Sequence, residues 1–300
     1  MRYLIVHAND LGLSSAVTDG ILEAFTHGLL TSTSLLMGAP DAPRAARRVK
    51  SCPRLGVGLH LALCDVRPIL SPRRIPSLMG SDGLHFPDAV TVQQRLEQGL
   101  LSPHEILLEL EAQLLAAQDM GLSLTHVDGH HHLHMHPHIL PGLLELLRQH
   151  QIPALRIPRR EPGLKIAPTL SALRSDAHER LPSALAGMLE AAGLLTTDHF
   201  MGLETQGCWS MSQLLERLSA LPEGTTELML SPQMVASVTP ASPAFFQAHA
   251  PSPDLTPPES DLFGSLDTLD LADPRLAALL RHGSFELIHY GDLPGLSREV

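Results

Sequence analysis

Between Thr125 and Pro137 the chain reads T-H-V-D-G-H-H-H-L-H-M-H-P, gathering His126, His130, His131, His132, His134 and His136 around Asp128. A third of the chain's 18 histidines fall in this run. Neutral imidazole is the commonest metal ligand, and imidazole combined with carboxylate suits zinc, manganese, iron or cobalt. In extended chain successive side chains alternate, so His130, His132 and His134 share one face while His131 points away. A His-rich run can also be a metal-scavenging surface tract or an expression tag. A tag lies at a terminus, without a strand before it and a helix after it.

Those flanking elements are visible. Leu122 to Val127 alternates apolar with polar residues, which predicts a short strand. Asp128-Gly129 is a turn signal, and from Pro137 the spacing of Ile139, Leu140, Leu143, Leu144, Leu146 and Leu147 predicts a helix. The histidines therefore sit where a strand ends and a helix begins, the edge of α/β folds at which ligand sites gather. Asp10 has the same address. The strand Tyr3–Val6 runs into His7-Ala8-Asn9-Asp10-Leu11-Gly12, and Ser14 or Ser15 caps a helix carrying Val17, Ile21, Leu22 and Phe25. His60 stands near the end of a third predicted strand, Leu55–Leu61, whose glycines permit close backbone approach. Alone, Asp10 reads as a turn residue and His60 as a buried, hydrogen-bonded histidine. Three strand ends, each presenting a metal-type ligand, read as one metal site.

Further strands are predicted at Thr31–Met37, Ile152–Ile157, Thr196–Met201, Thr226–Leu230 and Ser284–Tyr290. Helices are predicted at Pro40–Val49, Pro103–Met120, Ser183–Ala192, Ser210–Leu221 and Asp270–Arg281. This alternation argues a parallel α/β architecture. Arg67–Pro87 reads as a long proline- and glycine-containing loop of the lid or binding kind, and Val235–Pro258 as an irregular Pro/Ala/Ser-rich segment. Arg156 and Arg159, at the end of the Ile152–Ile157 strand, are candidates for holding an anionic or hydroxyl-rich ligand. A solvated loop is an equally good reading of that stretch.

The chain has 300 residues, 44% hydrophobic and only 3% aromatic, so the core is built from Leu, Val, Ile and Ala. A formal net charge of −11 without a long basic cluster argues against nucleic acid. Cys52, Cys64 and Cys208 are odd in number and widely spaced, neither a disulfide framework nor a CxxC zinc set. No signal-peptide pattern and no apolar run long enough for a membrane span are present, so the expected place is the cytoplasm.

Taken together, Asn9-Asp10-Leu11-Gly12, Gly58-Leu59-His60 and Asp128-Gly129-His130-His131-His132-Leu133-His134 resemble the YdjC/ChbG family of carbohydrate deacetylases, in the same order over nearly the whole chain. Arg67-Pro68 and Arg156-Ile157-Pro158-Arg159 resemble its hopanoid-biosynthesis-associated branch, HpnK. The resemblance implies an α/β fold, a distorted (β/α) TIM-like barrel, with residues 1–300 forming one domain. It implies an Asp and two His holding one divalent ion (Zn, Mg, Mn or Co), which fall on Asp10, His60 and His130. The implied reaction removes an N-acetyl group from a glucosamine-containing glycoconjugate, an N-acetylglucosaminyl hopanoid in that branch. The implied partner is an N-acetylated sugar or glycolipid, met through transient contact with a membrane surface where it is lipid-linked. Composition leaves a homo-oligomer open.

Two positions depart from the family pattern. The family's first acid, the implied general base, is replaced by Asn9, whose amide cannot take a proton near neutral pH. The family's late His-Pro is replaced by Ser231-Pro232. Losing a general acid or base costs on the order of a hundred- to ten-thousandfold in rate. Asp128, His132 and His134 are the nearby candidates to substitute. A metal-bearing but catalytically silent relative that binds a sugar or a protein is the competing reading. A phosphoester hydrolase is disfavoured by the few basic residues near the motifs.

Overall fold

The computed structural model of the chain describes residues 1–159, 182–203, 209–231 and 273–296. Its first half contains β1 (Arg2–Leu11), α1 (Ser15–Thr26), β2 (Ser32–Leu35), α2 (Ala42–Val49), β3 (Gly56–Leu61), α3 (Ala89–Glu97), α4 (Pro103–Asp119), β4 (Val127–Gly129) and α5 (Leu140–Gln149). Beyond these come α6 (Pro182–Ala192), β5 (His199–Met201), α7 (Met211–Ser219), β6 (Gly224–Leu230), α8 (Pro274–His282), β7 (Glu286–Leu287) and the single turn α9 (Leu293–Leu296).

The strands form one sheet in the order β4-β3-β2-β1-β6-β5, with β7 also pairing with β1, and every pair is parallel. Isolated bridges Val127–Leu155 and Ala154–Leu195 carry the pairing onward from β4 toward the segment that precedes β5. The sheet thus curls into the TIM-like α/β barrel that the motifs imply. Helix starts follow local chemistry. Ser14 Oγ accepts from Val17 N at 3.3 Å to cap α1, and Ser102 caps α4 with Pro103 in the first turn. The main core is aliphatic. Leu4, Val6, Leu35, Leu59, Leu114 and Leu143 are all fully buried, each such side chain contributing about 1.5–3 kcal/mol.

Several expectations change in detail. β1 continues past Val6 because β2 pairs with it from His7 and β6 as far as Ala8, which draws the polar His7–Asp10 stretch into the sheet. The strand expected over Ile152–Ile157 is reduced to bridges at Ala154 and Leu155. Pro153 and Pro158 lack the N–H that a ladder requires. The loop Arg67–Pro87 contains two 3-10 turns, Pro72–Arg74 and Pro76–Leu78, and is followed by α3, which apolar periodicity had not indicated. Val235–Pro258 and Cys208 lie outside the described residues. Among the described residues no helix is long and apolar enough to cross a membrane.

The concave side of the sheet is polar, where a barrel of this type is ordinarily filled by layers of Val, Ile and Leu. His7, Ser34, His126, Asp128, Arg156, Glu227 and Tyr290 are all buried there. The ring of His126 stacks on Tyr290 at 3.9 Å and meets His7 edge-on at 5.0 Å. Gly58 makes room for it, since a Cβ at that position would lie 2.5 Å from the imidazole.

This burial has a consequence in acid. Desolvation lowers the pKa of His7 and takes that of His126 down to about 3. Unfolded histidines bind a proton near pH 6.5, so as pH falls below that value the unfolded chain takes up protons the folded chain refuses. The contribution of His7 and His126 to stability is therefore flat above about pH 6.5 and falls below it, by about 1.4 kcal/mol per pH unit for each of the two. The urea midpoint is expected to decline already between about pH 6.5 and 5.5, above the range in which ordinary carboxylates titrate. A His126→Gln variant is expected to show a shallower decline, and an equal slope would refute the assignment.

Candidate metal centre

Asp10, His60 and His130 come from three different strand ends and meet at one point. Asp10 is the penultimate residue of β1, where the register with β2 shifts between Ala8 and Leu11, and its backbone is left-handed at φ 61°. Non-glycine residues seldom adopt this region, and Asp and Asn are among those that do most readily. His60 is the penultimate residue of β3, and His130 follows β4 directly. Asp10 Oδ1 lies 3.3 Å from His60 Nε2 and 3.1 Å from His130 Nδ1, and the two imidazole nitrogens are 3.1 Å apart.

Three donors at this spacing fit a cation. With bonds of about 2.0–2.2 Å, neighbouring vertices of a tetrahedral or octahedral shell stand about 2.9–3.5 Å apart. Asp10 Oδ1 is also buried without a hydrogen bond to another protein group. Burial opposes ionisation of Asp10, but His130 and His60 outweigh it and hold the carboxyl at about 2. For His130, burial pulls the pKa down and the Asp10 carboxylate outweighs that, raising it. The carboxylate is therefore fully ionised at neutral pH, as a ligand must be.

Behind His60 lies a chain of buried charges. His60 Nδ1 is 2.8 Å from Asp128 Oδ1, which directs its other nitrogen to the centre, the usual arrangement behind a metal-bound histidine. Asp128 Oδ2 accepts from Ser34 Oγ at 2.9 Å and pairs with Arg156 Nη1 at 2.5 Å. Arg156 continues to Glu227 through Nε and Nη2, at 2.9 and 2.5 Å, and Tyr290 Oη donates to the other oxygen of Glu227. Burial works against the Asp128 charge, and Arg156 and His60 overcome it to lower its pKa. Burial dominates at Glu227, whose pKa is raised.

The histidine run is not extended. His130–Met135 is a 3-10 segment broken by left-handed backbone at His131 (φ 51°) and His132 (φ 57°). Hence His130, His132 and His134 do not share a face. His130 turns to Asp10, His131 approaches Asp65, and buried His134 places Nε2 3.0 Å from the carbonyl oxygen of Arg156. His132 is partly exposed, its ring edge-on to Phe200 at 6.0 Å. His126 and His136 are buried.

Arg156 is buried, with Nη1 also donating to Asn9 Oδ1 at 2.9 Å, so it stands behind the centre rather than in an open cleft. Arg159 is exposed. Asn9 Nδ2 rests on Met229 Sδ at 3.3 Å. Ser231 is buried one residue beyond the Ala8–Leu230 pair of β1 and β6, as Asn9 is on β1. Sequence reasoning missed Glu227, Ser34 and Asp65. A carboxylate within the apolar strand β6 was the available signal for Glu227.

A protein-family model described as YdjC-like protein matches residues 3–280. A carbohydrate deacetylase of Thermoanaerobacter pseudethanolicus is 30% identical over 242 residues, covering 78% of this chain and 82% of that protein. A carbohydrate deacetylase of Geobacillus stearothermophilus is 40% identical over 152 residues, or 51% of this chain and 58% of that protein. A chitooligosaccharide deacetylase of Proteus mirabilis is 40% identical over 157 residues, or 52% and 59%. These last two matches span little more than half of each relative. A crystal structure from Enterococcus faecalis V583, of a protein named for cellobiose-phosphate cleavage, superposes with a TM-score of 0.68 at 24% identity. It covers 97% of this chain and 98% of that one, a likeness of fold.

Proposed function

This chain belongs to the YdjC-like protein family, and from that premise we propose that it is a metal-dependent carbohydrate N-deacetylase. The observation that carries the reading is the convergence of Asp10, His60 and His130 within 3.1–3.3 Å of one another. Relatives named carbohydrate deacetylase and chitooligosaccharide deacetylase support the substrate class, an N-acetylated glucosamine conjugate. Within that class we propose a lipid-linked member, an N-acetylglucosaminyl hopanoid, on the strength of Arg67-Pro68 and the Arg156–Arg159 stretch.

Asp10, His60 and His130 would hold one divalent ion, which when bound supplies carbonyl polarisation and a water acidified toward about 7. The protein's own groups set up that chemistry. Asp128 keeps the His60 proton on Nδ1, so Nε2 offers its lone pair. Arg156 neutralises Asp128 and fixes the Asn9 amide by donating to its oxygen. Asp128 and His134 are buried, whereas His132 is partly exposed and so within reach of a substrate, which makes it the candidate of the three for moving a proton to the departing amine. A His132→Ala variant with unchanged turnover would remove it.

The test is acetate release from an N-acetylated chitooligosaccharide and from an N-acetylglucosaminyl hopanoid, each with and without chelator. Chelator-sensitive release supports the proposal, and the better of the two substrates decides the finer class. No release from either would leave a metal-bearing relative without turnover. In Asn9→Asp the new carboxylate would occupy the place where Asn9 Oδ1 now accepts from Arg156 Nη1. This variant is expected to raise turnover by at least about a hundredfold, the lower range for a general base. No gain would show that the base is not lost from that position.

A further inference from the structure

Beyond His60 the chain leaves β3 through Leu61, Ala62 and Leu63 to Cys64 and Asp65. Cys64 is fully buried, and the next residue turns back with left-handed backbone at φ 62°. Across from it stands His131, also left-handed, with Nε2 3.5 Å from Asp65 Oδ2. The ligand atoms of Cys64, Asp65, His130 and His131 all lie within 4.8 Å of one another. His130 is common to this group and the first centre. It turns Nδ1 toward Asp10, at 3.1 Å, while its Nε2 lies 4.0 Å from Asp65.

We propose that Cys64, Asp65 and His131 form a second cation site, for a thiophilic divalent ion such as zinc, on the rim of the first centre. Sulfur, imidazole and carboxylate together select zinc or cobalt over magnesium. Donors around zinc stand about 3.3–3.8 Å apart, given bonds of 2.0–2.3 Å. The side chains of Asp65 and His131 are 40% and 39% exposed, which gives both freedom to rotate inward and opens a path from solvent. Cys64 forms the buried floor. Burial and the neighbouring Asp65 hold the thiol protonated in the metal-free protein. An arriving cation reverses that balance by displacing the proton. This inference goes beyond deacetylation and does not depend on it.

Metal-free full-length protein titrated with Co2+ tests the site through stoichiometry and the near-ultraviolet sulfur-to-cobalt charge-transfer absorption. Wild type is expected to take two ions per chain, with the sulfur band present. Cys64→Ser should take one and lose the band, whereas Asp10→Asn should lose the other ion and keep it. Cys52→Ser, which alters a different thiol, should change neither. Should Cys64→Ser fail to fold, His131→Ala and Asp65→Asn alter partly exposed side chains and should each weaken the second ion at least about tenfold. One ion per chain in wild type without the sulfur band would overturn the proposal, whereas one ion with the band would leave this site standing and count against the first centre. A sulfur band that survives Cys64→Ser, or a second ion indifferent to His131→Ala and Asp65→Asn, would also overturn it.

Discussion

Acetate release is expected to fall about a thousandfold in an Asp10→Asn variant that folds normally. The substitution keeps the shape of the side chain, and asparagine accepts the left-handed backbone at this position. It removes the anionic ligand, the only one of the three that carries charge in the metal-bound state. Metal-ion stabilisation of a developing oxyanion amounts to several kcal/mol, and about 4 kcal/mol corresponds to three powers of ten. Two measurements are needed: turnover, and metal per chain after dialysis. Loss of both together supports Asp10 as a ligand. Unaltered turnover with unaltered metal content would place the cation elsewhere.

Arg156→Met is expected to give the largest loss of stability of any single change around the centre, about 3–5 kcal/mol, the usual cost of removing one partner from a buried ion pair. Arg156 is fully buried between Asp128 and Glu227, and removing it leaves two carboxylates with no cation between them. Glu227 can relieve part of this by protonation, since burial already raises its pKa. Asp128 is also fixed by His60 and Ser34, and has less room to do so. Urea unfolding should show a lower midpoint with an unchanged slope, the mark of altered stability rather than altered compactness. A Glu227→Gln variant retains the Asp128 pair and should lose less. Equal losses from the two variants would mean that Arg156 is held chiefly from the Glu227 side.

The convergence of Asp10, His60 and His130 was legible because each falls near a strand end, although the strand expected over Leu122–Val127 forms only at Val127–Gly129, so that Asp128-Gly129 close the strand instead of turning. Asp10 precedes Leu11-Gly12, His60 closes an apolar run, and His130 follows Asp128-Gly129. The conformation of the histidine run was not. Whether six residues with this composition run extended or coil is decided by where their rings find partners, and those partners, Asp10, Asp65 and the Arg156 carbonyl, are far away in the chain. The same holds for Arg156, which reads as a surface cation until Asp128 and Glu227 are brought beside it. The parallel α/β architecture was legible from its alternating elements, and the barrel came only from the family resemblance. The weak link at Ala154–Leu155 was not legible, because flanking prolines trim a strand without erasing its hydrophobic pattern.

The backward-curling main chain at Asp10 reaches further than the chemistry of its carboxylate. Side chains branched at Cβ are strongly disfavoured in that conformation, so the position restricts its occupants even where no reaction is selected. A saturation library there, sorted only for well-expressed folded protein, should return chiefly aspartate, asparagine and glycine. Persistence of an acid at this site across variants is therefore, by itself, a weak signature of retained turnover.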